Sequence, residues 1–418
     1  MPPMAHDFPD TTPLIHHPYS PPEGFASPQP GVFKASTVYF PNVAAMRSRE
    51  WKDKSGYTYG LHGTPTTYLL EERLCTLEGG RQCVLVPSGL AAIANTALAL
   101  LRQGDEVLIP DNAYGPNKAL AEGELRHWGI TARYYQPADL EDLARQITDR
   151  TRLVWLEAPG SVTMEFPDLI AQVRLCRARG VLCALDNTWG AGLAFAPFDL
   201  LGDGQLGVDI SVHALTKYPS GGGDVLMGSI ITRDEALHLQ IKLCHMRLGL
   251  GVGANDAEAV LRALPSIGLR YAAQDRTARA LARWWQQQPQ CVQLLHPAFE
   301  GSPGHAHWRA VCVRATDVGR ASPPDHEGLA AGLFSVLLDA RYSSAQVDAF
   351  CDQLQRFRIG YSWGGPVSLV VPYELSSMRS LPSPQLQQGH LVRFSTGLES
   401  AQALIADLQA SLERHLPR

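Results

Sequence analysis

From about residue 80 the chain settles into a repeating pattern. Short apolar runs rich in Val, Leu and Ile alternate with stretches of helical periodicity. Gln82-Cys-Val-Leu-Val-Pro87 reads as a strand, and Ser88 then caps a helix to about Gln103, with Gly104 as its stop. Glu106–Pro110 is the next strand. Further strands are expected at Thr131–Tyr135, Arg152–Glu157, Val181–Leu185, Ile210–Ala214 and Val225–Thr232, with helices at Asp139–Ile147 and Pro167–Arg179 between some of them. Strands alternating with helices imply an α/β class with a mostly parallel sheet covered on both faces. Residues 235–285 read as helical. Strands return at His307–Val313, Leu333–Leu338 and Leu391–Ser395, with helices at Ser344–Gln355 and Ser400–Leu412. The pattern divides the chain into an arm (1–62), a large α/β domain (63–260) and a smaller C-terminal α/β domain (261–418).

Composition narrows the function. Residues 1–30 hold nine of the 30 prolines, which excludes a helix or a central strand there and leaves an arm, loose or laid on a partner subunit. Lys+Arg is 36 against Asp+Glu 41, a net charge of −5, which argues against a nucleic-acid protein. Charged residues make up only 18%, a hint of surface buried between subunits. No apolar run reaches the roughly 18 residues of a membrane span. The opening MPPMAHDFPD lacks the basic-then-apolar pattern of a secretory signal, so a cytoplasmic protein is expected. The eight cysteines are scattered without a C-x-x-C pair, and the histidines do not cluster at ligand spacings, so neither disulfides nor a metal are expected.

Ligands of such sheets sit beyond the carboxyl ends of the strands, and three of those ends carry unusual residues. Asp186-Asn-Thr-Trp189 follows one strand, Leu215-Thr-Lys-Tyr218 another, and Ser88-Gly-Leu-Ala-Ala92 opens the helix after a third. A helix start built of small residues offers free amides to a phosphate. A carboxylate can hold a protonated ring nitrogen, and a lysine of lowered pKa can form a Schiff base. Taken singly, each is commonplace. An Asp at a strand end usually caps a turn, a lysine is usually solvated, and Gly221-Gly-Gly-Asp224 lacks the P-loop spacing. Their conjunction describes a pyridoxal-phosphate pocket. Asp186 and Lys217, 31 residues apart, are expected to flank one ligand.

These residues, with Val32–Phe40, Tyr59-Gly-Leu-His-Gly-Thr-Pro-Thr-Thr67 and Thr216-Lys-Tyr218, resemble the Cys/Met-metabolism family of pyridoxal-phosphate enzymes from about Gly31 to the C-terminus. The resemblance implies the aspartate-aminotransferase-like fold (fold type I) and pyridoxal 5'-phosphate as cofactor. Glu157-Ala-Pro-Gly-Ser-Val-Thr-Met-Glu165, Tyr361-Ser-Trp-Gly-Gly365 and His213-Ala-Leu-Thr-Lys217 are similar to its cystathionine β-lyases rather than to its γ-acting members, which usually carry Asn at position 161 and Ser at 214. By that resemblance, Lys217 would hold the cofactor and move the Cα proton. Asp186 would hold the ring nitrogen, and Tyr114 would stack on the ring. Gly89, Leu90, Thr188 and Thr216 would complete the cofactor site, and Tyr59 would reach the phosphate of a neighbouring subunit. Arg393 would grip the substrate carboxylate, with Ser161, Ser362 and Trp363 lining the substrate side. An aromatic before Gly-Gly, as at Trp363, is also a common packing residue. The partners implied are a small sulfur amino acid and further copies of the chain, in a homotetramer of dimers with shared sites. Two positions depart from the family pattern. Leu61 stands where the usual Tyr-x-Arg places a phosphate-binding arginine, with His62 beside it, and Gly222 stands where many relatives have His. Broader cysteine-S-conjugate or cystine lyase chemistry, γ-acting chemistry and a cofactor-free scaffold are the alternatives.

Overall fold

A computed structural model describes residues 15–16, 18–20, 22–48, 54–313 and 328–418. Much of the Pro-rich arm lies outside them. The chain divides into two compact units, Met1–Gly31 and Val32–Arg418. The first contains no strand among its described residues.

The second unit is built on two sheets. The large one comprises β1 (Gln82–Val86), β2 (Glu106–Pro110), β3 (Thr131–Tyr135), β4 (Thr151–Glu157), β5 (Leu182–Asp186), β6 (Ile210–Ala214) and β7 (Gly228–Thr232), in the order β1-β7-β6-β5-β4-β2-β3. Only β7 runs against its neighbours, pairing antiparallel with β1 and β6. The other pairings are parallel, as the alternation of strands and helices predicts. Both faces of β2 and β7 are buried, and neither strand alternates apolar and polar residues along its length. The helix after β1 spans Gly89–Leu100, and Ser88 Oγ accepts the Ala91 amide at 3.0 Å as its cap.

The small sheet comprises β8 (Cys291–Leu295), β9 (Leu333–Leu338), β10 (Arg358–Ile359), β11 (Leu369–Tyr373) and β12 (His390–Ser395), in the order β10-β11-β12-β9-β8. Phe334, Val336, Val392 and Phe394 alternate from it into a core shared with the helices Ile267–Gln286 and Ala401–His415.

One sequence expectation fails. His307–Val313 is helical, not extended: a short helix at His305–Trp308 runs into a wider turn at Arg309–Val313. Trp308, Val311 and Cys312 are its buried residues, and their spacing of three and four is that of one helical face. A seven-residue, mostly apolar segment cannot distinguish the two states by periodicity alone.

Candidate active site

The strand ends converge as expected. Asp186 closes β5 and lies in register with Glu157 of β4 and Val212 of β6. Its Oδ1 accepts the Thr188 amide at 3.0 Å, and Thr188 Oγ1 in turn accepts the Ala214 amide at 2.9 Å. These two bonds fix the carboxylate against the turn that carries Lys217. Burial raises the Asp186 pKa, against the opposing pull of Thr188, His213 and Lys217. Beneath it Glu78, almost fully buried, accepts from Asn187 at 3.2 Å, from Ser211, and meets His213 Nδ1 at 2.8 Å.

Lys217 follows β6 in a tight turn in which its own amide reaches Ala214 O at 3.1 Å. Its ammonium has no carboxylate within ion-pair distance among the described residues. Burial and the positive Arg393 lower its pKa to about 8, with Asp186 opposing. Its Nζ stands 5.7 Å from the centre of the Trp363 ring.

The helix start at Gly89 is pressed against the end of β6. A Cβ on Gly89 would lie 2.6 Å from Ala214 Cβ, and one on Gly228 would lie 2.4 Å from Ser88 O. Both positions therefore demand glycine. The amides of Gly89 and Leu90 open the helix and have no acceptor in a preceding turn. Thr216 Oγ1 sits beside them, 3.4 Å from the Met227 amide.

Tyr114 follows β2. Its amide donates to Glu157 Oε2 at 2.8 Å. Burial, then the nearby Asp186 and Glu157 carboxylates, raise its phenol pKa. Burial, then the Asp186 charge, push the Glu157 pKa well up and favour a neutral carboxyl there, against the opposing pull of the Tyr114 amide and of Arg379. Ser161 follows β4 and is tied by its amide to Asn112 O at 2.8 Å.

The remaining groups come from the small sheet. Arg393 projects from β12 with 7% exposure. Its Nη2 donates to Ser362 O at 3.3 Å, and its guanidinium stacks on the Tyr373 ring at 5.3 Å. No carboxylate lies within ion-pair distance of it among the described residues. A buried, unpaired guanidinium is a built receptor for an incoming carboxylate. Ser362 adopts the left-handed region (φ 87°), a strained setting for a non-glycine residue, and this turn lays Trp363 over Lys217.

Tyr59 stands apart from these groups. It is 45% exposed, its hydroxyl meets Ser36 Oγ at 3.3 Å, and its ring lies edge-on to His62 at 5.9 Å. Leu61, in the place of the usual arginine, lies near Gly251 and lines a cavity of about 30 Å³ with His62, Glu71, Lys242 and His245. His62 is occupied with Thr58 Oγ1 at 2.8 Å. Tyr373 and Glu157 went unnoticed in the sequence. A tyrosine at a strand end and a Glu before Ala-Pro carry no local signal, and their importance comes from what the other sheet or strand brings to them.

The pocket fits the cofactor that the sequence motifs imply. It offers free amides at a helix start, a carboxylate held by Thr188, and a lysine of lowered pKa without an ion-pair partner. In the apoprotein, the free amine of Lys217 is the form that combines with pyridoxal phosphate. Its fraction rises through about pH 8, so the uptake rate followed by visible absorbance should climb from pH 7 to 8 and level off above about 9. A rate still rising steeply between pH 9 and 10.5 would mean that Lys217 titrates like a solvated lysine.

The comparisons with known proteins point to the same fold and the same cofactor. The model of the family described as "Cys/Met metabolism PLP-dependent enzyme" matches residues 11–413. A putative cystathionine beta-lyase of Rhizobium johnstonii is 37% identical over 94% of this chain and 91% of its own length. The cystathionine beta-lyase of Bordetella avium is 35% identical over 96% of this chain and 97% of its own. Among solved structures, the cystathionine gamma synthase of Xanthomonas oryzae pv. oryzae, in complex with aminoacrylate and cysteine, superposes with a TM-score of 0.79 at 28% identity. That superposition covers 93% of each chain.

Proposed function

We infer the reaction from a premise: the chain belongs to the Cys/Met metabolism family of pyridoxal-phosphate-dependent enzymes. Within that family we propose β-elimination of L-cystathionine, which with one water gives homocysteine, pyruvate and ammonia. The bound cofactor supplies an electron sink for the pair left on Cα when its proton is removed.

The chain's own residues do the rest. Arg393 takes the substrate carboxylate in its fork, which fixes the amino acid's orientation. Lys217, poised near pH 8, removes the Cα proton, and the thiolate departs from Cβ. Asp186 keeps the proton on the ring nitrogen, and its hydrogen bond from Thr188 keeps it facing there. Tyr114 would cover the ring face. Gly89, Leu90 and Thr216 would hold the phosphate, and Tyr59 would reach the phosphate of a neighbouring copy. Trp363 walls the leaving-group side, with Ser161 and Ser362.

The observation that carries this reading is the convergence of amine, aromatic wall and carboxylate receptor in one pocket, with Lys217 Nζ 5.7 Å from Trp363 and Arg393 bonded to Ser362 beside it. Ser at 161 and Trp at 363 favour β- over γ-elimination. With cystathionine as substrate, pyruvate should accumulate in step with homocysteine. Accumulation of 2-oxobutyrate with cysteine would identify a γ-lyase instead. That second reading draws its support from the likeness to a γ-synthase. Turnover of cystine faster than cystathionine would broaden the assignment to cysteine S-conjugates.

A further inference from the structure

Between Tyr373 and His390 the chain leaves the small sheet and straps across the large one. It is bonded there far more densely than a connecting loop requires. Lys118 Nζ donates to Met378 O at 3.1 Å and to Asp111 Oδ1 at 2.9 Å. The Ser380 amide donates to both Asp111 oxygens at 3.0 Å, and the Leu381 amide to Oδ2 at 2.9 Å. Arg379 is the hub. Its side chain is 6% exposed. Nη1 donates to Asp111 O at 3.2 Å, Nη2 donates to Thr163 Oγ1, and Glu165 Oε2 lies 3.7 Å from Nη2. Glu165 also accepts from Asn112 at 3.1 Å and from Gln385 at 3.0 Å.

Three pieces of chain meet at this guanidinium. One is the turn after β2, which carries Tyr114 three residues beyond Asp111. Another is the turn after β4, which carries Ser161. The third is the strap that leads into β12 and Arg393. Mere attachment of the strap would be met by the Asp111 and Lys118 bonds. Arg379 adds a rigid link between the two turns on the large sheet and the segment that delivers the carboxylate receptor. A planar, multidentate donor is suited to that task in a way a lysine is not.

We propose that Arg379 is a positioning residue for substrate binding: it fixes the separation between Arg393 and the Tyr114 face of the pocket. The proposal rests on the reading of Arg393 as the carboxylate receptor. Displacement of a bound reactant by an ångström costs up to about 10²-fold, so removal of the link should be felt at the substrate without removing the cofactor.

The test uses the holoenzyme and two probes. Cystathionine reports kcat and KM. Glycine, which has no leaving group, reports binding alone through the change it causes in the cofactor's visible spectrum. Arg379→Met should keep bound cofactor and raise both the glycine Kd and the cystathionine KM by about tenfold or more, with kcat changed less. Arg379→Lys should recover only part of the loss. Thr163→Val, which removes one partner of the guanidinium while keeping the side-chain shape, should raise the glycine Kd severalfold. Should Arg379→Met fail to fold, Thr163→Val decides the matter. A folded variant of either kind with glycine Kd and KM within twofold of the parent overturns the proposal. Arg393→Met serves as the control: an unchanged glycine Kd there would overturn the underlying reading of Arg393, whatever Arg379 does. Absence of cystathionine turnover in the parent would count against the substrate assignment and leave the glycine comparison intact.

Discussion

Lys217→Ala should fold, bind pyridoxal phosphate without a covalent link, and lose turnover by about 10⁴-fold or more, the upper end of what a positioned acid–base group contributes. The structure explains why nothing nearby would stand in. Lys217 is held at the tip of the β6 turn with Trp363 over its amine, and its neighbours are a carboxylate, Asp186, and a guanidinium, Arg393, whose charge lowers the Lys217 pKa. Neither neighbour is a base of the right strength at the right atom. Lys118, whose ammonium is engaged with Asp111 and Met378, belongs to another cluster. The measurement is single-turnover pyruvate release by the variant at saturating cofactor. Residual activity above one part in a hundred would move the proton transfer to another group, with Tyr114 the first to examine. Stability should change little or improve. A lysine with a pKa near 8 in the fold and 10.5 in the unfolded chain costs folding free energy below pH 8, and that cost shrinks as pH rises from 8 to 10.5.

Arg393→Leu should lower kcat/KM by about 10²–10³-fold, as expected when one partner of a buried charge pair is lost, while cofactor affinity stays near that of the parent. Without substrate, Arg393 is a desolvated cation that meets the Ser362 carbonyl and the phenols of Tyr373 and Tyr361, with no carboxylate within ion-pair distance among the described residues. An apolar residue of similar volume is therefore neutral or mildly stabilising there, and the thermal midpoint should not fall. Arg393→Lys should restore little, because a point charge cannot present two parallel donors to a carboxylate. The readings are the Michaelis parameters, the cofactor titration and the melting curve on one preparation. A loss of cofactor together with activity would mean that Arg393 supports the pocket rather than the substrate.

The parts of this site that were legible in the sequence share one property: each sits at the carboxyl end of a strand whose apolar run is unambiguous. Asp186, Lys217 and Gly89 are of this kind. Arg393 lies in a strand equally plain to read, although its role came only from resemblance. The illegible parts depend on partners brought by the fold. β11 was invisible because Leu369-Val-Val-Pro-Tyr373 contains Pro372, which argues against an interior strand. The fold tolerates it because β10 pairs only with Leu369 and Val370, so β11 is an edge from Val371 onward. Tyr373 was missed with its strand. Glu157 was placed in a strand, but its neighbour Asp186 is 29 residues away in the chain and becomes adjacent only through the β4–β5 register. Arg379 sits in a stretch rich in Ser, Pro and Gln that reads as an ordinary loop, and its three partners come from positions 111, 163 and 165.

The division of labour between the two sheets has a consequence for recombination. The cofactor side of the pocket is encoded between Ser88 and Lys217, whereas Ser362, Trp363, Tyr373 and Arg393 fall within one stretch of 32 residues near the C-terminal end. A chimera with crossovers near residues 357 and 396 would exchange Ser362, Trp363, Tyr373 and Arg393 at once, and leave Ser161, Lys217 and Asp186 native. The exchange would carry position 379 with it. Donor segments that keep an arginine there should therefore graft onto Asp111, Thr163 and Glu165 as productive hybrids, and donors that lack it should give folded proteins with poor substrate capture.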